Sequence, residues 1–269
     1  MKTSSSFAQR FILSGLVVAM ATTGLAAGDG NDKDLLPSHQ ELKAALSSVV
    51  AGTNSGGFSL NMWVTIVNRD GNVVAVAFSG NERGDQWPGS RVISAQKANT
   101  ANAFSLPGLA LSTANLYSAV QPGGSLYGLQ HSNPVDPGVA YGGQSKNNGQ
   151  KNDWMVGRKI GGVNVFGGGL ALYNAEGKLV GALGVSGDTS CTDHIVAWKV
   201  RHALNLDNVP AGVAAGAPNG TDNIVFDITT DANGHEKSAG GWGHPLCPGT
   251  PAAAIAAALP ATHPVGPNP

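Results

Sequence analysis

Cys191 and His194 stand three places apart, and His244 and Cys247 repeat the interval in reverse order. Two thiolates and two imidazoles at such spacings are the donors of a tetrahedral Cys2His2 zinc site. The same cysteines, the only two in the chain, can instead bond to each other and close a loop of about 57 residues, which chain entropy credits with roughly 4 kcal/mol. A third chemistry is a nucleophilic thiolate, because Cys191 falls in the first turn of an expected helix; its partner cysteine argues against that. With the sulfurs paired, His194 and His244 would lie near one another, free to meet a cofactor or to bond backbone groups.

The compartment decides between these chemistries. Residues 1–27 carry Lys2 and Arg10, the apolar run Phe11 to Ala21, and the small-residue stretch Gly24-Leu25-Ala26-Ala27, the signature of a secretory signal. An apolar run of eleven residues is too short to span a bilayer, which takes about 20. The expectation is therefore a periplasmic or secreted protein without membrane insertion. In such a compartment an isolated cysteine pair becomes a disulfide, so Cys191–Cys247 is the expected pairing and no metal is expected at these residues.

The cleaved chain would hold about 240 residues, with 14 basic groups against 17 acidic ones, and its charge of about −3 attracts neither nucleic acid nor an anionic membrane. Its apolar content suffices for a core, while 38 glycines and 15 prolines imply many turns. No Gly-x-Ser-x-Gly elbow, P-loop, His-Glu-x-x-His or Cys-x-x-Cys-His motif occurs. GGVNVFGGG at 161–169 lacks the strand, turn and helix setting of a dinucleotide fingerprint and reads as close backbone packing.

The elements that must hold these residues follow from pattern. Ser38 and Glu41 form a capping box, with Leu42, Ala45, Leu46, Val49 and Val50 at helical spacing behind it. Residues 62–68 and 73–79 form one hairpin, and 170–174 with 178–187 form a second. Both turns read Asn-x-acid-Gly, whose glycine supplies a positive φ. A helix is expected over 90–104, where Ala95, Ala98, Ala101 and Ala103 permit close approach to a sheet, and Arg91, Lys97 and Thr100 are polar. Lys97 is either a functional cation for a carboxylate ligand or a lysine snorkelling from an apolar face. A second helix is expected over 111–120 and a last one over 191–204, with Ser190 as N-cap and Asp193 at the third position.

Residues 121–162 read as an irregular insertion rich in Gly, Asn and Gln, in which His131 has no visible partner. Residues 207–250 form an extension with one strand candidate at 223–228, and 251–269 read as a tail without stable structure apart from a short alanine helix. Met62 and Met155 could serve as soft ligands, but strand methionines normally pack in the core. Two hairpins with helices before, between and after them describe an α+β domain, one antiparallel sheet with helices on it.

WVTIVNRDGNVVAVAF, then QKANTANAF, then GGGLALYNAEGKLVGALGVSG with Asp193 in the next helix, resemble the GlcG/HbpS family over roughly residues 37–206, within a domain expected over 28–206. The KA-x-TA element (Lys97, Ala98, Thr100, Ala101) and the GA-x-GVSG element (Gly181 to Gly187) carry the resemblance together. It implies a profilin-like fold, homo-oligomers, and binding of haem or a related tetrapyrrole for binding, sensing or degradation. The chain departs from the family at Gly169 and Leu170, where a bulky residue and a proline are usual, and in its insertion and extension. The resulting expectation is an exported, non-covalent haem-binding protein with a storage, sensing or accessory role, its iron met by His194, His244 or His131 and its propionates by Lys97 or Arg91, with Thr100 nearby. The competing expectations are an enzyme degrading the tetrapyrrole or acting on a small oxidised metabolite, and an accessory subunit of an exported oxidoreductase.

Overall fold

The computed structural model describes residues 35–52, 55–249 and 251–266; the expected signal segment, 1–27, lies outside them. In chain order the described elements are α1 His39–Ala51, β1 Trp63–Asn68, β2 Val73–Phe78, α2 Ser90–Phe104, α3 Leu129–Ser132, α4 Pro137–Tyr141, β3 Gly169–Tyr173, β4 Leu179–Ser186, α5 Ser190–Ala203, β5 Ile228–Thr230, β6 Glu236–Ser238 and α6 Ala252–Thr262. Four strands pair in the order β2-β1-β4-β3, antiparallel throughout, so the two hairpins meet where Ile66 faces Leu183. Gly71 and Gly177 take φ of 78° and 71° at the two hairpin turns, as the Asn-x-acid-Gly pattern requires.

The sheet is covered on both sides. Val64, Ile66, Leu170, Leu172, Leu183 and Val185 bury one face against α1 and α5. On α1, Leu42 and Leu46 are fully buried, worth roughly 2 kcal/mol apiece, and Ser38 and Glu41 close the capping box. The other face packs Trp63, Val76, Phe78 and Ala182 on Ala95, Ala98 and Ala101 of α2. The approach there is so close that a Cβ on Gly184 would strike the Ser94 carbonyl and the Ala98 amide.

Several local expectations change. Residues 111–117 are turns, with only Ser118–Val120 as a short 3-10 segment, because Ser112 and Asn115 bond each other's backbone and the Asn115 amide reaches the Asn223 carbonyl. The N-cap of α5 is Thr189, whose Oγ1 accepts from the Thr192 N–H, one residue earlier than expected. Residues 223–227 lie outside the short strand β5. The insertion is packed: Met155 and Ile160 are buried, and Asp153 meets Arg91 across 62 positions of sequence. In the tail, the alanine helix α6 buries Ala252, Ala256 and Leu259 in the core, and the Trp198 indole donates to the His263 carbonyl.

Candidate functional site, a sealed ion pair and an adjoining groove

Lys97 on α2 and Asp193 on α5 meet at 2.6 Å, both buried, with the Lys97 ammonium also donating to the Val185 carbonyl at 3.2 Å. The second Asp193 oxygen accepts from the Gly187 and Asp188 amides at 3.1 and 3.0 Å, so the turn between β4 and α5 wraps the carboxylate. Burial pushes Asp193 up to about 6, against the pull of Lys97 and of the Asp188 amide. The Asp193 carboxyl is therefore ionised at neutral pH.

Gly167, Gly168 and Gly169 lie directly on this pair. A Cβ on Gly168 would meet Lys97 Nζ and the Val185 carbonyl, and one on Gly167 would meet the Ser190 carbonyl. The Gly169 amide donates to Thr113 Oγ1 at 2.9 Å, and Thr113 in turn donates to the Phe166 carbonyl. The Gly167 amide donates to His244 Nε2 at 3.3 Å, while His244 Nδ1 faces the Pro245 carbonyl at 2.8 Å. These bonds fix a neutral ring, and burial holds its pKa down to about 4. His194 is fully buried beside Trp198; its Nε2 accepts from the Ile224 amide at 3.1 Å, and burial holds its pKa down to about 3. Its Nδ1 has no partner among the described residues.

The Cys191–Cys247 disulfide, with Cα atoms 6.1 Å apart, brings His244 to this place. It holds the extension on the start of α5 and leaves no thiolate for a zinc site. Among the described residues no group of three or more His, Cys, Asp or Glu could hold a metal ion. Of the residues singled out in sequence, Lys97, His194 and His244 come together, with Asp193 as the counterion. Thr100 stands apart, its Oγ1 donating to Gln96 and accepting from the Asn164 amide. Arg91 forms a two-pronged bond to Asp153, and His131 is exposed on α3.

Beyond the ring of His244 lies Tyr117, centroids 5.2 Å apart, which opens a groove of about 890 Å³ between residues 117–125 and the β5–β6 hairpin. Ser118 Oγ donates to the Gly243 carbonyl at 2.6 Å and ties the two walls together. His235 and Lys237 stand on the hairpin wall. Sequence reasoning passed over His235, although Asp231-Ala-Asn-Gly-His reads as a hairpin turn with an acid placed to hold the imidazole.

A family model described as haem degrading protein HbpS-like matches residues 38–201, and the chain belongs to that HbpS-like family. Solved structures similar to it include Klebsiella pneumoniae protein ORFY, 26% identical over 61% of this chain and 86% of that one, TM-score 0.42. The PduOC:heme complex is 24% identical over 62% and 91%, TM-score 0.43. A double mutant of Streptomyces reticuli HbpS is 18% identical over 74% and 99%, TM-score 0.40. No curated protein matches. Among the described residues no helix is long and apolar enough to cross a membrane.

The family implies haem, and the donor sets here differ in their fitness for it. His194 and His244 each spend the Nε2 lone pair on a backbone amide, and Lys97 and Arg91 are held by carboxylates, so these residues as placed do not fit an iron porphyrin. The groove holds about 890 Å³, and its wall carries an imidazole and an ammonium together with the carboxylates of Asp231 and Glu236.

Proposed function

We propose that the protein is exported and binds haem or a related tetrapyrrole without covalent attachment, to store it, sense it or pass it to a partner oxidoreductase. The match to the HbpS-like family over residues 38–201 carries this reading, and the groove between residues 117–125 and the β5–β6 hairpin is the candidate room for a ligand. In this reading the sealed residues Lys97, Asp193, His194 and His244 hold the fold rather than the ligand, Arg91 fixes the insertion through Asp153, and Thr100 receives the Asn164 amide beyond it. Bound haem would supply an iron centre and a visible chromophore. The disulfide supports an oxidising compartment, periplasmic or extracellular. Association into homo-oligomers belongs to the same reading and is tested by sedimentation with and without hemin.

Titrating hemin into the purified, oxidised protein should give a saturable, shifted Soret band. A spectrum identical to that of free hemin at every ratio would overturn the reading. The family's description favours a second outcome, degradation: adding a reductant to the complex would then bleach the Soret band and release iron. Storage or sensing predicts that the band persists in the ferrous form.

A further inference from the structure

We propose that the Cys191–Cys247 bond is a thiol–disulfide exchange site, entered at Cys247 by a partner dithiol, and that its opening lifts residues 245–249 from the start of α5. The two sulfurs stand in unlike surroundings. Cys191 is fully buried in the core with Ile195 and Trp198, whereas Cys247 is half-buried and its neighbours Leu246, Pro248 and Gly249 are exposed. A thiolate attacks one sulfur of a disulfide in line with the bond it breaks, so access decides which sulfur is taken. Cys191 has no exposed surface to offer, and a nucleophile in line with it would have to come from the core. Attack on Cys247 comes from the exposed loop. Cys247 lies beyond the residues matched by the family model, so the site belongs to this chain's extension and is independent of tetrapyrrole binding.

The electron pair of the broken bond falls on Cys191, the second residue of α5 after its N-cap Thr189. A thiolate in the first turn of a helix is stabilised by the amides there, which makes Cys191 the better leaving group. Asp193 in the same turn opposes that charge, but its carboxylate is spent on Lys97 and on the Gly187 and Asp188 amides. The partner's second thiol then attacks the mixed disulfide and expels Cys247 as a thiolate. The partner ends as a disulfide, two electrons and two protons pass to the protein, and both cysteines end as thiols. The loop is built to yield at that point. Pro245 and Pro248 have no N–H to bond with, and the Cys191 amide at 3.2 Å and Ser190 Oγ at 3.6 Å hold the Cys247 sulfur through a weak acceptor. Both flanks have their own anchors: the His244 amide donates to the Val225 carbonyl at 2.8 Å, and α6 buries Ala252, Ala256 and Leu259. Opening is therefore confined to the loop, and the rest of the extension stays in place.

The test treats the oxidised full chain with thiols in the absence of denaturant, traps free cysteines with iodoacetamide and reads the peptides by mass spectrometry. With excess reduced glutathione the trapped adduct should sit on Cys247, and Cys191 should carry the alkyl group. With dithiothreitol both cysteines should be alkylated, while the circular dichroism spectrum is retained and the urea midpoint falls. Urea far below that midpoint should leave the exchange rate unchanged, because the loop opens without global unfolding. The proposal is overturned if the wild type resists both thiols until it is denatured, if glutathione is found on Cys191, or if the rate climbs with low urea in step with the unfolding equilibrium. It is equally overturned if reduction abolishes the circular dichroism spectrum, which would make the bond a requirement of the fold. None of these readouts uses hemin, so failure of the exchange site and failure of the haem reading are told apart.

Discussion

Lowering the pH from 7 to 5 should cost the fold about 3 kcal/mol, with His194 and His244 setting the sign. Unfolded, each takes a proton near 6.5; folded, His194 does so only near 3 and His244 only near 4. Between 6.5 and about 4 the unfolded chain therefore holds more protons than the native one, and stability falls as the pH falls. At pH 5 each histidine contributes a loss of about 2 kcal/mol, from about 1.5 pH units at about 1.4 kcal/mol per unit. Asp193 acts in the opposite sense. Its carboxyl titrates near 6 when folded and near 3.8 when unfolded, so the native state protonates first and recovers about 1 kcal/mol over the same interval. Urea midpoints at pH 7 and 5, with the disulfide intact and the m-value unchanged, measure the net effect. His244→Gln removes one of the two titrating rings and should shrink the pH-dependent loss by about 2 kcal/mol, whatever it does to stability at pH 7. A midpoint equal or higher at pH 5, or a His244→Gln protein with the full wild-type loss, would refute the reasoning.

Replacing Cys247 by Ser should lower stability by roughly 4 kcal/mol, read as a fall in urea midpoint, because it frees a loop of 56 positions; thiol titration of the denatured, unreduced wild type should find none. Gly184→Ala should cost about 3 kcal/mol or prevent folding, since its Cβ would collide with α2 backbone, which has no rotamer to yield. Asp153→Ala leaves the Arg91 guanidinium buried without its carboxylate and should cost about 3–5 kcal/mol, with protease cleavage appearing first in the insertion.

The sheet was legible because its information is local. Alternation and a glycine at each turn define both hairpins, and Ser38 with Glu41 marks the start of α1 within four residues. The alanines of α2 announced a close approach, and the structure shows what they approach: Gly184 and the floor of β4. What stayed hidden depends on partners far along the chain. Lys97 was noticed, but Asp193 is 96 positions away, and Arg201 finds Asp222 only through the returning extension. The apolar pattern at 111–120 suggests a helix; side chains of Ser112 and Asn115 cap the backbone locally and turn it instead. Composition at 251–269 lacks charge and abounds in proline, which hides that α6 has a face of α5 to cover. The cysteine spacing pointed at His194 and His244, but the Gly167 and Ile224 amides that occupy their Nε2 lone pairs lie where no spacing reveals them.

The measurement that bears most directly on the account is an equilibrium titration of hemin into the oxidised protein, followed through the Soret region. The account predicts saturation at one hemin per chain with a shifted band. A titration that tracks free hemin throughout would contradict it.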